Sequence, residues 1–160
     1  MLVTAISVKE RLENLFLNSL YSKKIIEFSN SISFYPIIDV AVTGQYVQYC
    51  SMSNDYKKIL GYFEAFVDKE RRIVENFSLI HFYDSLTFTG VEDLYSFMEF
   101  LLIDLDFRKI KFFCLGEKNL KLFKKFAKFA GGRYVGLLEE EEYSLSDNSY
   151  VDKHLFEIVK

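Results

Sequence analysis

The strand–helix–strand pattern between residues 72 and 116 constrains the fold most. Residues 72–83 (RIVENFSLIHFY) and 109–116 (KIKFFCLG) are rich in β-branched and aromatic residues, which is typical of strands. Between them, over roughly 91–105, apolar residues recur at steps of three and four, which predicts a helix with one buried face. Two strands joined through a helix form a right-handed parallel crossover. The sequence therefore predicts a sheet with a parallel pair and a helix packed against it.

The remaining segments extend this crossover into one α/β (α+β) domain over residues 1–160. Short polar joins predict an antiparallel meander before the crossover, and Gly131 and Gly132 end the helix that follows it. Segment 37–42 is ambiguous. The expected elements, in chain order, are strand 2–6, helix 8–20, helix 23–32, strands 45–52, 57–68 and 72–83, helix 91–105, strand 109–116, helix 119–132 and strands 133–145 and 149–160. Together they predict a mixed, mostly antiparallel sheet of about seven strands flanked by about four helices.

Composition and charge exclude several classes of protein. Half of the 160 residues are hydrophobic, which suits one domain with a sizeable core. The net charge of −3 gives no reason to expect binding to nucleic acid or to an anionic membrane. The two cysteines are too few for a disulfide framework and indicate a reduced, cytoplasmic protein, and with only two histidines beside them no metal site is expected. Charges within residues 1–16 give no reason to expect a signal peptide, and because the sequence contains no uncharged apolar span of ~18 residues, no membrane span is expected.

The order of elements and three segments resemble the GNAT superfamily of acyl-CoA-dependent N-acyltransferases. GYFEAF is similar to the family's third strand, EKNLKLFKKFAKFAGGRYVG to the segment before its last two strands, and SDNSYVDKHLFEIVK to its closing strand. The resemblance implies that the fourth and fifth strands, 72–83 and 109–116, part at their ends. It implies that a coenzyme A thioester, acetyl-CoA, lies in this gap and acylates an amine. No motif indicates which amine is the acceptor.

Residues 86–94 (LTFTGVEDL) occupy the position of the family's pyrophosphate-binding turn, Q/R-x-x-G-x-G/A. In that turn, free N–H groups and the positive end of the next helix hold the anion, and glycines let it approach closely. Leu86, Thr89 and Val91 stand at the three defining positions, and Gly90 is one place off. The motif is therefore absent, although its place in the chain is kept.

The same turn predicts a competing role as a helix cap. The Thr89 hydroxyl would accept the N–H of Glu92, while the Glu92 carboxylate reaches back to the N–H of Thr89. Glu92 and Asp93 would also place negative charge at the helix start, which stabilises the bare helix but repels a pyrophosphate. At ~4 Å and an effective dielectric of ~20, one such contact costs roughly 4 kcal/mol before screening. The sequence thus leaves two alternatives open, a cofactor site that still binds and one that is weakened or lost.

The candidate catalytic residues are Glu75 and His81. By the resemblance, Glu75 occupies the position of a family general base and would deprotonate the amine directly or through water. A two-residue period would put both side chains on one face of the strand; the alternatives are a solvated acid and a structural imidazole. N–H groups near Phe82 would polarise the thioester carbonyl. Phe126 stands seven residues after Asn119, where many relatives carry a Tyr that protonates the leaving thiolate, and a phenyl ring cannot donate a proton.

Cofactor contacts are expected along the turn and the helix after the fifth strand. The cofactor-binding residues that the resemblance implies are Phe82, Tyr83, Leu86, Thr87, Thr89, Gly90 and Asn119. The lysines of helix 119–132 either approach the nucleotide end of coenzyme A or form a solvated face. Cys114 is expected to be a small buried side chain, and His154 a surface residue on the last strand.

Three functions remain open at this point. The first is an acyltransferase whose partners are a coenzyme A thioester and an unknown amine. The second is a non-catalytic GNAT-like domain with a degenerate cofactor turn, acting as a binding or interaction module. The third is a homodimeric module that pairs through its last strands. The fold alone does not decide among them.

Overall fold

The computed structural model describes residues 1–22, 26–28, 38, 40, 44–83, 87–117, 120–144 and 148–160. The strands and α-helices within these residues are β1 (Leu2–Thr4), α1 (Lys9–Ser22), β2 (Ile26–Phe28), β3 (Tyr46–Met52), β4 (Ile59–Asp68), β5 (Ile73–His81), α2 (Phe88–Glu99), β6 (Lys109–Leu115), α3 (Leu120–Phe129), β7 (Arg133–Ser144) and β8 (Ser149–Val159). A 3-10 segment, Ala5–Val8, precedes α1, and a π-helical turn, Phe100–Asp104, continues α2.

The strands form one mixed sheet in the order β1-β3-β4-β5-β6-β8-β7, and β2 pairs with β5 outside this path. β5 and β6 are parallel, as a crossover through α2 requires, and the other pairs are antiparallel. The predicted fold class is confirmed, with three α-helices over the described residues where about four were expected. The helix expected over 23–32 is wrong for its described part, because residues 26–28 pair with β5 as a strand. Pairing with a distant strand outweighs local preference there.

Two apolar clusters pack helices on opposite faces of the sheet. We call these the α2 face and the α1 face. The α2 face includes Phe77, Leu79, Leu94, Phe97, Phe112 and Phe123. The α1 face includes Leu12, Phe16, Cys50, Tyr62 and Ile80. Consecutive residues of β5, Leu79 and Ile80, enter different clusters, as the alternation of side chains along a strand requires. Fully buried Phe97 stacks on Phe63 with ring centroids 5.6 Å apart; truncation of such a ring to alanine costs about 3–5 kcal/mol.

Candidate functional site

A gap between β5 and β6 is the first feature of the candidate site. The two strands pair only at their start, where residues 73–74 of β5 meet residues 109–110 of β6. Beyond this point both strands continue, but the described residues contain no further pair between them. β5 ends at His81 and α2 begins at Phe88, so the gap opens toward the first turn of α2.

β2 lies in this gap, on the open edge of β5. Residues 79–81 of β5 pair with residues 61–63 of β4 and also with residues 26–28 of β2. A strand has only two edges along which another strand can pair. Since β4 takes one of them, β2 must take the edge that faces β6.

The backbone N–H groups that face the gap belong to Leu79 and His81. The N–H of Phe82 donates to the carbonyl oxygen of Leu60 at 3.2 Å, on the β4 edge. Successive N–H groups of a strand point to opposite edges, so those of His81 and Leu79 point away from β4. β4 therefore holds the N–H of Phe82 itself, and the N–H groups near Phe82 that remain as candidate donors to a thioester are those of His81 and Leu79.

Glu75 and His81 do not share a face of β5. Residues 66 and 67 of β4 pair with residues 76 and 74 of β5, so Glu75 is an extra residue that forms a β-bulge. Val74 and Phe77 both join the α2 face, so Glu75 between them points to the α1 face. The Nε2 atom of His81 lies under α2, 3.8 Å from where a Cβ on Gly90 would be. The predicted convergence is wrong, since the bulge breaks the two-residue period and the two residues are ~20 Å apart along the strand.

Two cations hold the Glu75 carboxylate at the point where β5 and β6 part. Arg71 Nη1 lies 2.9 Å from Oε1, and Lys111 Nζ lies 2.6 Å from Oε2. Lys111 belongs to β6, so the second bond crosses the narrow end of the gap. The Glu75 side chain is 25% exposed, and water can reach it. Sequence reasoning missed both cations, although Lys111 alternates with buried Ile110 and Phe112, a pattern that indicates a side chain on the α1 face.

His81 is a buried imidazole at the end of β5. Its Nδ1 lies 2.8 Å from the carbonyl oxygen of Tyr83 and donates to it, since a carbonyl can only accept. Burial lowers the pKa of His81, and the bond to Tyr83 opposes this only in part. Nε2 then carries a lone pair, and within the described ranges it has no hydrogen-bond partner. Within these ranges, Nε2 is thus an unused acceptor that is buried beneath the start of α2.

α2 begins at Phe88, three residues earlier than expected, and Thr87 caps it. The Thr87 Oγ1 accepts the N–H of Gly90 at 3.0 Å. The predicted capping box of Thr89 and Glu92 is wrong, because Thr89 already lies inside the first turn. By helix geometry, the N–H groups of Phe88 and Thr89 have no partner within the helix. They are the donors that α2 can offer to an anion.

Glu92 and Asp93 lie in the second turn of α2 and not at its N-terminus. The first turn contains no acidic residue. Asp93 is buried, and its Oδ2 lies 2.5 Å from the Ser51 Oγ and 2.5 Å from the α-amine of Met1. Glu92 is exposed on the helix surface. The expected repulsion of a pyrophosphate by Glu92 and Asp93 is therefore wrong in its geometry, because neither lies in the first turn of α2.

Solved structures similar to this arrangement of strands and helices include N-acetyltransferases. A mutant form of the spermidine N-acetyltransferase SpeG from Vibrio cholerae superposes with a TM-score of 0.62 at 16% identity, over 74% of this chain and 68% of that chain. A dodecameric structure of spermidine N-acetyltransferase from Vibrio cholerae gives 0.62 at 15% identity, over 72% and 66%. A protein from T. thermophilus assigned as an acetyltransferase gives 0.59 at 12% identity, over 74% and 61%. The chain has the GNAT fold.

The likeness to these proteins is one of fold alone, because sequence identity is low. The sequence matches no protein-family model and no curated protein. In GNAT terms, β5 and β6 are the fourth and fifth strands, and α2 carries the turn at the cofactor position. None of the described helices is long and apolar enough to cross a membrane.

The other cofactor-binding residues implied by the GNAT resemblance are only partly placed. Leu86 and Asn119 lie outside the described residues. Phe82 is buried on the α1 face, and half-buried Tyr83 packs against the same cluster. Thr87, Thr89 and Gly90 form the cap and first turn of α2, as described above, so these three lie together at the mouth of the gap.

Phe126 stands at the GNAT position of the proton-donating Tyr. Its ring packs beside Tyr95 and Phe112, with centroids 6.2 Å and 5.6 Å away. This packing accounts for an apolar residue at the position. α3 therefore offers no proton there to a departing thiolate.

The outer surface of α3 is a basic face. Four of its lysines line a shallow groove together with Glu117; they are Lys121, Lys124, Lys125 and Lys128. Phe123 and Ala127 are buried on the opposite side of the helix. The four lysines are exposed, and both expected roles, contact with the nucleotide end of coenzyme A and a solvated face, stay predictions.

The remaining titratable candidates lie away from the gap-facing edge of β5. Cys114 is buried, as expected for a small apolar side chain. His154 is also buried, which makes the predicted surface position wrong. Its Nδ1 lies 3.2 Å from the Tyr134 hydroxyl, and its Nε2 lies 3.4 Å from a Glu117 oxygen. β7 lies beside β8 in the hairpin, where Leu137 is the residue opposite His154.

A cavity of about 750 Å³ lies at the other end of β5. Its apolar lining includes Val47, Val67, Phe100 and Phe107, and Lys69 lies among the lining residues. These residues come from β3, the end of β4 and the turn after it, and the segment after α2. The cavity is therefore separate from the mouth of the gap between β5 and β6, where the groups described above converge.

Proposed function

We propose that the chain is an acyl-CoA-dependent N-acyltransferase, which transfers an acetyl group from acetyl-CoA to the nitrogen of an amine. One observation carries the proposal. The parallel strands β5 and β6 pair only over residues 73–74 and 109–110, and then part toward the first turn of α2. A ligand that lies in this gap contacts backbone groups of β5, and at the mouth of the gap it contacts the positive end of the α2 dipole. A thioester with two amides and a pyrophosphate is complementary to both.

The first turn of α2 supports binding of the pyrophosphate. The Thr87 hydroxyl satisfies the N–H of Gly90, which leaves the N–H groups of Phe88 and Thr89 for a ligand. No acidic residue in this turn opposes an anion. Because threonine replaces the glycine of the family turn at Thr89, an anion approaches the backbone less closely. We expect weaker binding than a glycine-rich turn would give.

The chemistry requires a base, a donor to the carbonyl oxygen and a leaving thiolate. The amine nitrogen attacks the thioester carbonyl carbon, the C–N bond forms, the C–S bond breaks, and coenzyme A leaves as a thiolate that takes a proton from water. We assign the amine proton to Glu75 through a chain of water molecules, since Glu75 lies where the strands part and each of its oxygens keeps a second lone pair beside its cation. The N–H of Leu79 is the donor to the carbonyl oxygen, because that of His81 lies ~20 Å from Glu75 along the strand.

A non-catalytic GNAT-like domain is the second candidate function. Two observations favour it. β2 pairs with the very edge of β5 that a ligand in the gap would use. Both oxygens of Glu75 are already engaged by Arg71 and Lys111. Such a domain would keep the fold and the ligand-binding gap between β5 and β6, but it would not catalyse acyl transfer.

Thermal unfolding with and without millimolar acetyl-CoA tests the proposal. A ligand at ~100 times its Kd stabilises by roughly 2.7 kcal/mol, which corresponds to about 5–10 °C in Tm for a domain of this size. No shift with acetyl-CoA or coenzyme A contradicts the proposal. Thiol release in the presence of a panel of amines then tests turnover. Binding without turnover for any amine favours the second candidate.

The role of Glu75 needs a matched pair of variants. Glu75→Gln should slow turnover strongly and leave the Kd for acetyl-CoA within about twofold, because the amide cannot accept a proton. Glu70→Gln is the control, since Glu70 is an exposed acid in the turn between β4 and β5, and it should change neither quantity. Full activity of Glu75→Gln would remove Glu75 as the base.

A further inference from the structure

β2 occupies the part of β5 that the proposed acyl-CoA site requires. Its three residues pair antiparallel with the last three residues of β5. In an antiparallel pair, opposite residues alternate between those that exchange backbone hydrogen bonds and those that do not. Because the N–H groups of Leu79 and His81 face the gap, their partners Phe28 and Ile26 are the hydrogen-bonded ones. The N–H of Glu27, between them, points away from β5.

An extended ligand along this edge needs the same backbone donors and acceptors. A hydrogen-bonded neighbour lies about 4.8 Å from its strand, so β2 and the amide chain of a thioester cannot occupy that position together. The strand pairs described on the gap-facing edge of β5 are with β6 at residues 73–74 and with β2 at residues 79–81. β2 therefore covers the mouth end of the gap, next to α2, and not its narrow end.

β2 can leave without disturbing β5. Residues 79–81 of β5 stay in the sheet through their pairing with β4 on the other edge. Departure of β2 exposes two backbone N–H groups and their neighbouring carbonyls, which must find other partners. Amide and carbonyl groups of a bound thioester supply such partners, so the exchange conserves hydrogen bonds.

We propose that β2 is a built-in competitor of the acyl-CoA substrate: it holds the edge of β5 when no ligand is bound and must leave Leu79 and His81 before one can bind. This inference rests on the proposed function, which supplies the ligand. The apparent Kd is then the intrinsic Kd divided by the fraction of molecules in which β2 is undocked. Any contact that withdraws β2 from the gap raises the affinity for coenzyme A without changing the residues that bind it.

Two proline variants and coenzyme A as the probe test the competition by calorimetry. Phe28→Pro removes an N–H that bonds to β5, whereas Glu27→Pro introduces the same residue where the N–H points away. We expect Phe28→Pro to bind coenzyme A roughly three- to tenfold more tightly than the wild type, and Glu27→Pro to stay within about twofold. Equal affinities for all three proteins overturn the inference and leave the proposed function standing. Binding by none of them overturns both.

Hydrogen exchange on the unmodified chain gives a second measurement that needs no variant. With saturating coenzyme A, the amides of Ile26 and Phe28 should exchange faster, because β2 has left the sheet. The amides of Leu79 and His81 should stay protected, because the ligand replaces β2. Slower exchange of Ile26 and Phe28 would overturn the inference, since β2 would then close over the ligand and not compete with it.

Discussion

Replacement of Thr87 by valine tests where α2 begins, and with it the character of the anion site. The Thr87 Oγ1 accepts the N–H of buried Gly90 at 3.0 Å. Valine keeps the shape of the side chain but removes this acceptor. Loss of an N-cap costs about 1 kcal/mol, within a range of roughly 0.5–2, and we expect the upper half because the donor is buried. For a domain of this size, that lowers Tm by about 2–8 °C.

Urea and thermal unfolding of four proteins decide the outcome. Thr87→Ser keeps a hydroxyl and should resemble the wild type. Thr89→Val is the matched control, because the capping box expected from the sequence assigns the cap to Thr89. Inside a helix the two residues have similar propensities, so Thr89→Val should change the free energy of unfolding by less than about 0.5 kcal/mol. A loss for Thr89→Val that equals that for Thr87→Val would refute a helix start at Phe88 and would return Glu92 to the first turn.

Stability should depend on pH through His81. Because burial lowers its pKa, the unfolded chain binds more protons than the folded chain below about pH 6.5, so the free energy of unfolding falls as the pH drops through that range. Urea unfolding between about pH 5 and 7 should show that this free energy changes less with pH in His81→Gln than in the wild type. Equal pH dependence in the two proteins would contradict this role of His81. Hydrogen bonds from Lys109 and Arg133 lower the pKa of Glu157, so its contribution is present at neutral pH and is lost as the pH falls through the folded pKa. Glu157→Gln should lower the free energy of unfolding by roughly 1–3 kcal/mol at neutral pH, and an unchanged urea midpoint would argue against this ion-pair network. β7 is an outer strand of the described sheet, with Val135 53% exposed. If β7 pairs with the β7 strand of a second copy, light scattering should show a dimer that Val135→Lys dissociates. A monomeric wild type would exclude this pairing.

The buried face of α2 could be predicted from the sequence, but its start could not. Leu94, Phe97 and Leu101 recur at helical spacing and are buried as expected. The first turn begins with Phe88, which is exposed and therefore adds nothing to the apolar period. Two threonines in this stretch are both good N-caps. The choice between them depends on where the loop after β5 delivers the chain, which local sequence does not determine.

The bulge at Glu75 shows why the two candidate catalytic residues were expected together. A regular strand alternates its side chains, and on that basis Glu75 and His81 share a face. The bulge arises from the register with β4, where residues 66 and 67 pair with residues 76 and 74. Register between strands depends on both partners, so a single segment carries no signal for it.

The strand β2 could not be predicted for a related reason. Its segment has apolar and charged residues in an order that suits a helix, and its partner His81 lies far along the chain. Strand pairing of this kind depends on a contact that local propensity does not encode. The parallel crossover from β5 to β6 could be predicted, because its two strands and its helix each carry a strong local pattern.

The central claim is that the gap between β5 and β6 binds a coenzyme A thioester. An amide-resolved NMR titration of the isotope-labelled chain with acetyl-CoA tests it most directly. The largest chemical-shift changes should fall on the amides of Leu79, His81, Phe88 and Thr89, which face the gap or its mouth. Changes confined to the distant cavity around Val67, or no changes at saturating acetyl-CoA, would contradict the claim.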